Sequence, residues 1–186
     1  MSLTPAVFPD WSPYPDLESA ARAYLRDPEI ALEVLGGVLG GAQVLGFTLE
    51  RFVNEHNGVW QEVVVCDGSR LLLWHGEDVS PSDGGHNGEM ISSLRVVPLS
   101  VVIEVGLRRR LRRTASGQSH VDSVDVYLLL NSIDEAPNGG FEGGRTVMRQ
   151  DALRFGKTLE DGGPGQIARL EEFAQLVASL AGRPLL

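Results

Sequence analysis

Five arginines in six positions, Arg108-Arg109-Arg110-Leu111-Arg112-Arg113, form the densest concentration of chemistry-bearing side chains in the sequence. A guanidinium group offers carboxylate or phosphate two parallel N–H donors, so the run points to an anionic ligand or an acid-rich partner. The chain around it is acidic: 25 Asp and Glu outnumber 16 Lys and Arg, for a formal net charge of -9. That balance repels nucleic acid and anionic membrane, so a protein surface, from another protein or a second copy of this chain, is the expected counterpart. The competing reading is a solvated hairpin. If Val101–Arg113 pairs with Val121–Asn131 about a turn near Gly117, Arg112 falls opposite Asp122 and Arg109 opposite Asp125. Alternation then sets Arg108, Arg110 and Arg112 on the face away from Val101, Ile103, Val105 and Leu107, with at least two arginines left over. The partner-binding candidates are Arg108, Arg110, Arg112 and Arg113. Nucleic-acid binding through Arg108 to Arg113 is a weaker alternative.

Other reactive side chains are scattered. The histidines, His56, His75, His86 and His120, lack the spacing of a metal-binding motif. Only His75, Glu77, Asp78 and His86 are close enough in sequence to gather in one loop, and they define the runner-up, a small enzyme or ligand-binding barrel with a site at its mouth. Gly156-Lys157-Thr158 has the ending of a phosphate-binding loop, but Asp151 stands where that motif requires glycine. Cys66, the single cysteine, permits neither an internal disulfide nor a cysteine-based zinc site and reads as a structural thiol. No nucleophile elbow is present and no carboxylate pair stands out, while Trp60 and Trp74 read as core or rim aromatics. The expectation is a binding protein without metal or cofactor rather than an enzyme.

The elements that must position these residues follow from periodicity. Four prolines between Pro5 and Pro15 make residues 1–15 an extended surface arm. Residues 16–186 read as one domain, with helices within 16–40, strands within 42–155 and a C-terminal helix over 165–182. Asp16 and Asp27-Pro28 are helix starts, and Ile30, Val34, Leu35 and Val38 mark an apolar stripe that ends at Gly40-Gly41. After Gly41 the period changes to two, with strands expected over Gln43–Val53, Val59–Cys66, Arg70–Trp74, Ile91–Val97, Val101–Arg112, Val121–Asn131 and Arg145–Met148. Asp67-Gly68 is the firmest hairpin signal. Ile167, Leu170, Phe173, Ala174, Val177, Leu180 and Ala181 then share one face of the last helix. No apolar run reaches the ~18 residues of a membrane span, and no basic segment precedes an apolar one at the N-terminus, so a cytoplasmic location is expected.

Seven strands in meander order followed by one amphipathic helix give an α+β, mostly β, chain. This order resembles the pleckstrin-homology-like superfold, an antiparallel barrel or sandwich capped by its C-terminal helix, here with two added N-terminal helices. Val63-Val-Val-Cys-Asp-Gly-Ser-Arg-Leu-Leu-Leu-Trp-His75 resembles the strand, tight turn and strand of bacterial members, and Val97-Pro-Leu-Ser-Val-Val-Ile-Glu-Val105 resembles their proline-containing strand pair. Asp27-Pro-Glu-Ile30 followed by Gly-Gly and a strand is similar to an uncharacterised family from high-GC Gram-positive bacteria, and fifteen Arg against one Lys suit such a genome. The superfold's phosphoinositide binders place Lys and Arg in the first hairpin loop. Here that loop is Asn54-Glu55-His56-Asn57-Gly58, so no lipid headgroup is expected, and the resemblance implies protein binding or self-assembly.

Overall fold

The computed structural model describes residues 8–54, 57–80, 84–86, 88–135, 148–183 and 185. Asp16 caps α1 (Leu17–Tyr24) by accepting a bond from the Ser19 amide at 2.8 Å. Asp27 precedes α2 (Pro28–Leu39) but makes no cap bond, because its carboxylate is held by Arg26 at 2.6 Å. Gly40, at φ 56°, closes α2 in the left-handed conformation that only glycine adopts without cost. Along α2 the buried residues are Ala31 and Leu35, whereas Ile30, expected on the apolar stripe, is exposed. Within the arm Pro9, Asp10, Pro13, Tyr14 and Pro15 are exposed, but Trp11 is fully buried, with its ring 5.7 Å from Phe47 and the Arg169 guanidinium over it. A single large aromatic anchors the arm to the domain.

Seven antiparallel strands follow, in two meanders. The first sheet has the order β1 (Gly46–Val53), β2 (Val59–Cys66), β3 (Arg70–Asp78), β4 (Met90–Pro98). The second has the order β5 (Val102–Arg113), β6 (Ser119–Glu135), β7 (Met148–Thr158), and α3 (Gly163–Leu180) completes the fold. Gly68, at φ 95°, makes the β2–β3 turn, and Asp67 fixes it by accepting from the Ser69 and Arg70 amides and from the Arg70 guanidinium. Against the upward push of burial, these donors hold the Asp67 carboxyl down at about 2.

The run Val63-Val64-Val65-Cys66 is apolar throughout because the first sheet is covered on both faces there. Val63 and Val65 face a core built with Trp11, Leu17, Tyr24, Leu35, Leu72 and Trp74. Val64 and Cys66 face the other, built with Leu71, Val97, the inner side of the second sheet, and Ile167, Leu170, Phe173 and Val177 of α3. Of the helix face read from sequence, Leu180 is exposed and Ala178 is buried in its place.

Of the barrel or sandwich expected, the described residues form two separate antiparallel sheets and no closed barrel. Among the described residues no ladder joins the two sheets: Pro98 supplies no amide, a 3-10 turn at Leu99–Val101 redirects the chain, and α3 packs where further strand pairing would be needed. β3 runs four residues past Trp74. The last strand is Met148–Thr158, whereas the sequence reading placed it at Arg145–Met148, of which 145–147 lie outside the described residues. The lipid-loop residues Glu55 and His56 also lie outside them. Among the described residues no helix is long and apolar enough to cross a membrane.

Candidate functional site

The arginine run lies on β5 and forms, with β6, a hairpin that outreaches the rest of its sheet, for every residue from Arg108 to His120 is exposed. Its turn is set by Gly117 at φ 82°, whose amide donates to the Thr114 carbonyl, and by the Thr114 amide donating to Gln118 at 2.8 Å. The turn centres on Ser116 rather than Gly117, so Arg113 faces Ser119 and Arg112 faces His120, which displaces the register from the one read in the sequence. A bulge between Arg110 and Leu111 leaves Asp122 without an opposite residue and takes back one residue of that displacement, so Arg109 faces Val124 and Arg108 faces Asp125. A second irregularity at Ile103 turns Val102 rather than Ile103 inward, so the arginines oppose Val105 and Leu107 but are out of phase with Val101 and Ile103.

Three arginines nevertheless have partners. Arg108 meets Asp125 at 2.8 Å, Arg112 meets Asp122 at 3.0 Å, and Arg109, on the opposite strand face, reaches Glu171 of α3 at 2.6 Å. Such exposed pairs each contribute about 0.2 to 1 kcal/mol. Arg110 and Arg113 have no carboxylate partner among the described residues.

The outer face of the second sheet extends this surface. Its cross-strand rows are Gly106, Tyr127 and Arg154, then Arg108, Asp125 and Gly156, then Arg110, Ser123 and Thr158. The Tyr127 ring lies over Gly106, where a Cβ would fall 1.9 Å from it, and its hydroxyl donates to Glu104 at 2.8 Å. A groove of about 370 Å³ runs beside it, lined by Arg108, Asp125, Tyr127, Leu129, Arg154 and Gly156. Arg154 is exposed and, like Arg110 and Arg113, has no carboxylate partner among the described residues. Arg154 and Tyr127 were not singled out from sequence. The available signal was the alternation Leu153, Arg154, Phe155, in a segment not assigned as a strand.

The alternative constellation is dispersed. Asp78 accepts two bonds from Arg26, at 2.5 and 2.7 Å, and one from the Val59 amide, which together lower its pKa. His75 lies on the other face of β3, 5.2 Å from the Trp60 ring and 3.7 Å from Glu77, while His86 sits beside Glu89. Among the described residues no three His, Cys, Asp or Glu converge on a point that would hold a metal ion. Lys157 ends a strand instead of opening a helix, and it is buried 2.8 Å from Glu50. Cys66 is buried, and burial raises its pKa.

One carboxylate pair does emerge. Glu50 and Glu62 are direct cross-strand neighbours, followed across the sheet by His75 and Ser93. Burial, and then the charge of Glu50, hold the Glu62 carboxyl at about 7; burial also raises Glu50, opposed by Lys157. The signal was present in the alternation: both glutamates occupy the same strand phase as the buried Thr48 and Val64. Comparison with known proteins adds nothing to this geometry, since no family model, no curated protein and no solved structure matches the chain.

Proposed function

We propose that this chain is a non-enzymatic, pleckstrin-homology-like binding domain that engages an acidic protein segment along the β5–β6 hairpin and the outer face of the second sheet. Two meanders of four and three strands and a C-terminal helix support the framework. The observation that carries the function is the set of exposed guanidinium groups of Arg110 and Arg154 on the outer face and of Arg113 on the other face of the hairpin, without carboxylate partners among the described residues of a chain whose net charge is -9. A guanidinium offers five N–H donors and no acceptor, so these groups suit an anionic partner. Arginine and tyrosine around a shallow groove are also the side chains enriched at protein interfaces.

The test is fluorescence anisotropy with a labelled oligo-glutamate peptide. Binding is expected to weaken from about 10 to about 150 mM salt, as the Debye length falls from about 30 to about 8 Å. Replacing Arg110, Arg113 and Arg154 by Ser removes three contacts worth about 0.5 kcal/mol each, which raises Kd by about tenfold. Equal binding by wild type and the triple variant overturns the proposal, and so does duplex DNA that displaces the peptide at lower concentration than unlabelled oligo-glutamate.

A further inference from the structure

Among the described residues the three most exposed large apolar side chains are Phe52 (59%), Leu111 (59%) and Ile91 (51%). Leu111 stands inside the arginine run. Phe52 and Ile91 stand on the first sheet, at the two ends of one cross-strand row: Phe52, Trp60, Glu77, Ile91. Residues directly opposite one another point to the same side of a sheet, and this side is the one away from α1 and α2, since the alternate positions Val63 and Trp74 pack under those helices. The row spans about 15 Å at the usual strand separation. The neighbouring row carries Glu50, Glu62, His75 and Ser93. Glu50 is held by Lys157, but Glu62 and Glu77 have no Arg or Lys partner among the described residues. A row of Phe52, Trp60 and Ile91 interrupted by Glu77 therefore lies beside a row that carries Glu62.

The hairpin carries the complement. Leu111 and Arg113 project from the same face of β5, two residues apart, at roughly 6.5 to 7 Å. Trp60 and Glu62, which mark the apolar and the acidic row, are also two residues apart on one strand, at the same spacing. Resting on the reading of the hairpin as a partner-binding surface, we infer that its acidic partner is a second copy of this chain: Leu111 of one copy seats on Phe52 and Trp60 of the other, and Arg113 meets Glu62 and Glu77. The Trp60 face adds a cation–π surface for the incoming guanidinium. Glu62, whose pKa burial raises, gains a counter-charge that no described residue of its own chain supplies. The net charge of -9 on each copy opposes non-specific association, so the contact depends on the local pairing of charge.

Sedimentation velocity of the full chain at low salt, over about 5 to 200 µM, reads the self-association constant directly. Arg113→Glu and Glu77→Arg are each expected to weaken it by at least tenfold, and the double exchange Arg113→Glu with Glu77→Arg to restore it. Both positions are solvent-accessible, and unchanged far-UV circular dichroism confirms that each variant is folded. A wild-type chain that stays monomeric while still binding oligo-glutamate overturns this inference and leaves the hairpin reading intact. Absence of both activities overturns both. Self-association that survives each single reversal assigns the contact to another surface and overturns the inference as well.

Discussion

Replacing Glu62 with Gln should stabilise the protein, and should do so only at neutral and alkaline pH. The carboxyl has an ordinary value of 4.5 and is held at about 7 in the fold, with burial as the main cause and the charge of Glu50 as the second. A carboxyl raised in the folded state binds its proton more tightly there than in the unfolded chain, so stability falls as pH rises between the two values. This rise corresponds to a penalty of about 3 kcal/mol that is fully present above pH 7 and absent well below 4.5. Glutamine keeps the shape and the hydrogen-bonding capacity but carries no charge. At about pH 8 the variant should therefore gain up to about 3 kcal/mol, and at about pH 4.5 only a few tenths. For a domain of this size 1 kcal/mol moves Tm by about 2 to 4 °C, so the expected rise at pH 8 is about 6 to 12 °C. Thermal unfolding followed by circular dichroism, for both proteins at both pH values, measures this. A variant less stable than wild type at pH 8, or one with the same difference at the two pH values, refutes the placement of Glu62 as a half-buried charge with no Arg or Lys partner among the described residues.

Lys157→Met should destabilise by about 3 kcal/mol, the low end of the range for breaking a buried pair, because Glu50 retains some access to water; urea unfolding should show much of the loss recovered when Glu50→Gln is added. Trp11→Ala should cost roughly 3 to 5 kcal/mol in the same assay, since the side chain is fully buried between Phe47 and Arg169. A loss under about 1 kcal/mol would return the arm to the surface.

The strands legible in the sequence were those whose two faces differ or whose ends carry turn chemistry. Val59–Cys66 matches residue for residue, because Asp67-Gly68 marks its end and the loop at residues 54–58 its beginning. β7 was missed because its inward positions are not uniformly apolar: Asp151 and Lys157 occupy buried positions, one held by Arg95 and Ser132, the other by Glu50. Alternation judged on hydrophobicity alone cannot see a charge neutralised by a residue more than fifty positions away. The same limit explains the arginine hairpin. Its existence followed from pattern, but its register depended on a turn centred on Ser116 rather than Gly117 and on a bulge at Asp122 that takes back one of the two residues of displacement. Arg108 therefore took the place opposite Asp125 that had been read for Arg109. Arg154 and Tyr127 became part of the candidate face only when β7 was paired with β6.

The measurement that bears most directly on the proposed function is an NMR titration of the isotopically labelled full chain with the oligo-glutamate peptide. Amide shifts are expected to concentrate on β5 from Gly106 to Arg113, on β6 from Ser123 to Tyr127 and around Arg154 on β7, and to diminish as salt rises from about 10 to about 150 mM. Shifts centred instead on the α1 and α2 side of the first sheet, or the same pattern retained after Arg110, Arg113 and Arg154 are replaced by Ser, would contradict it.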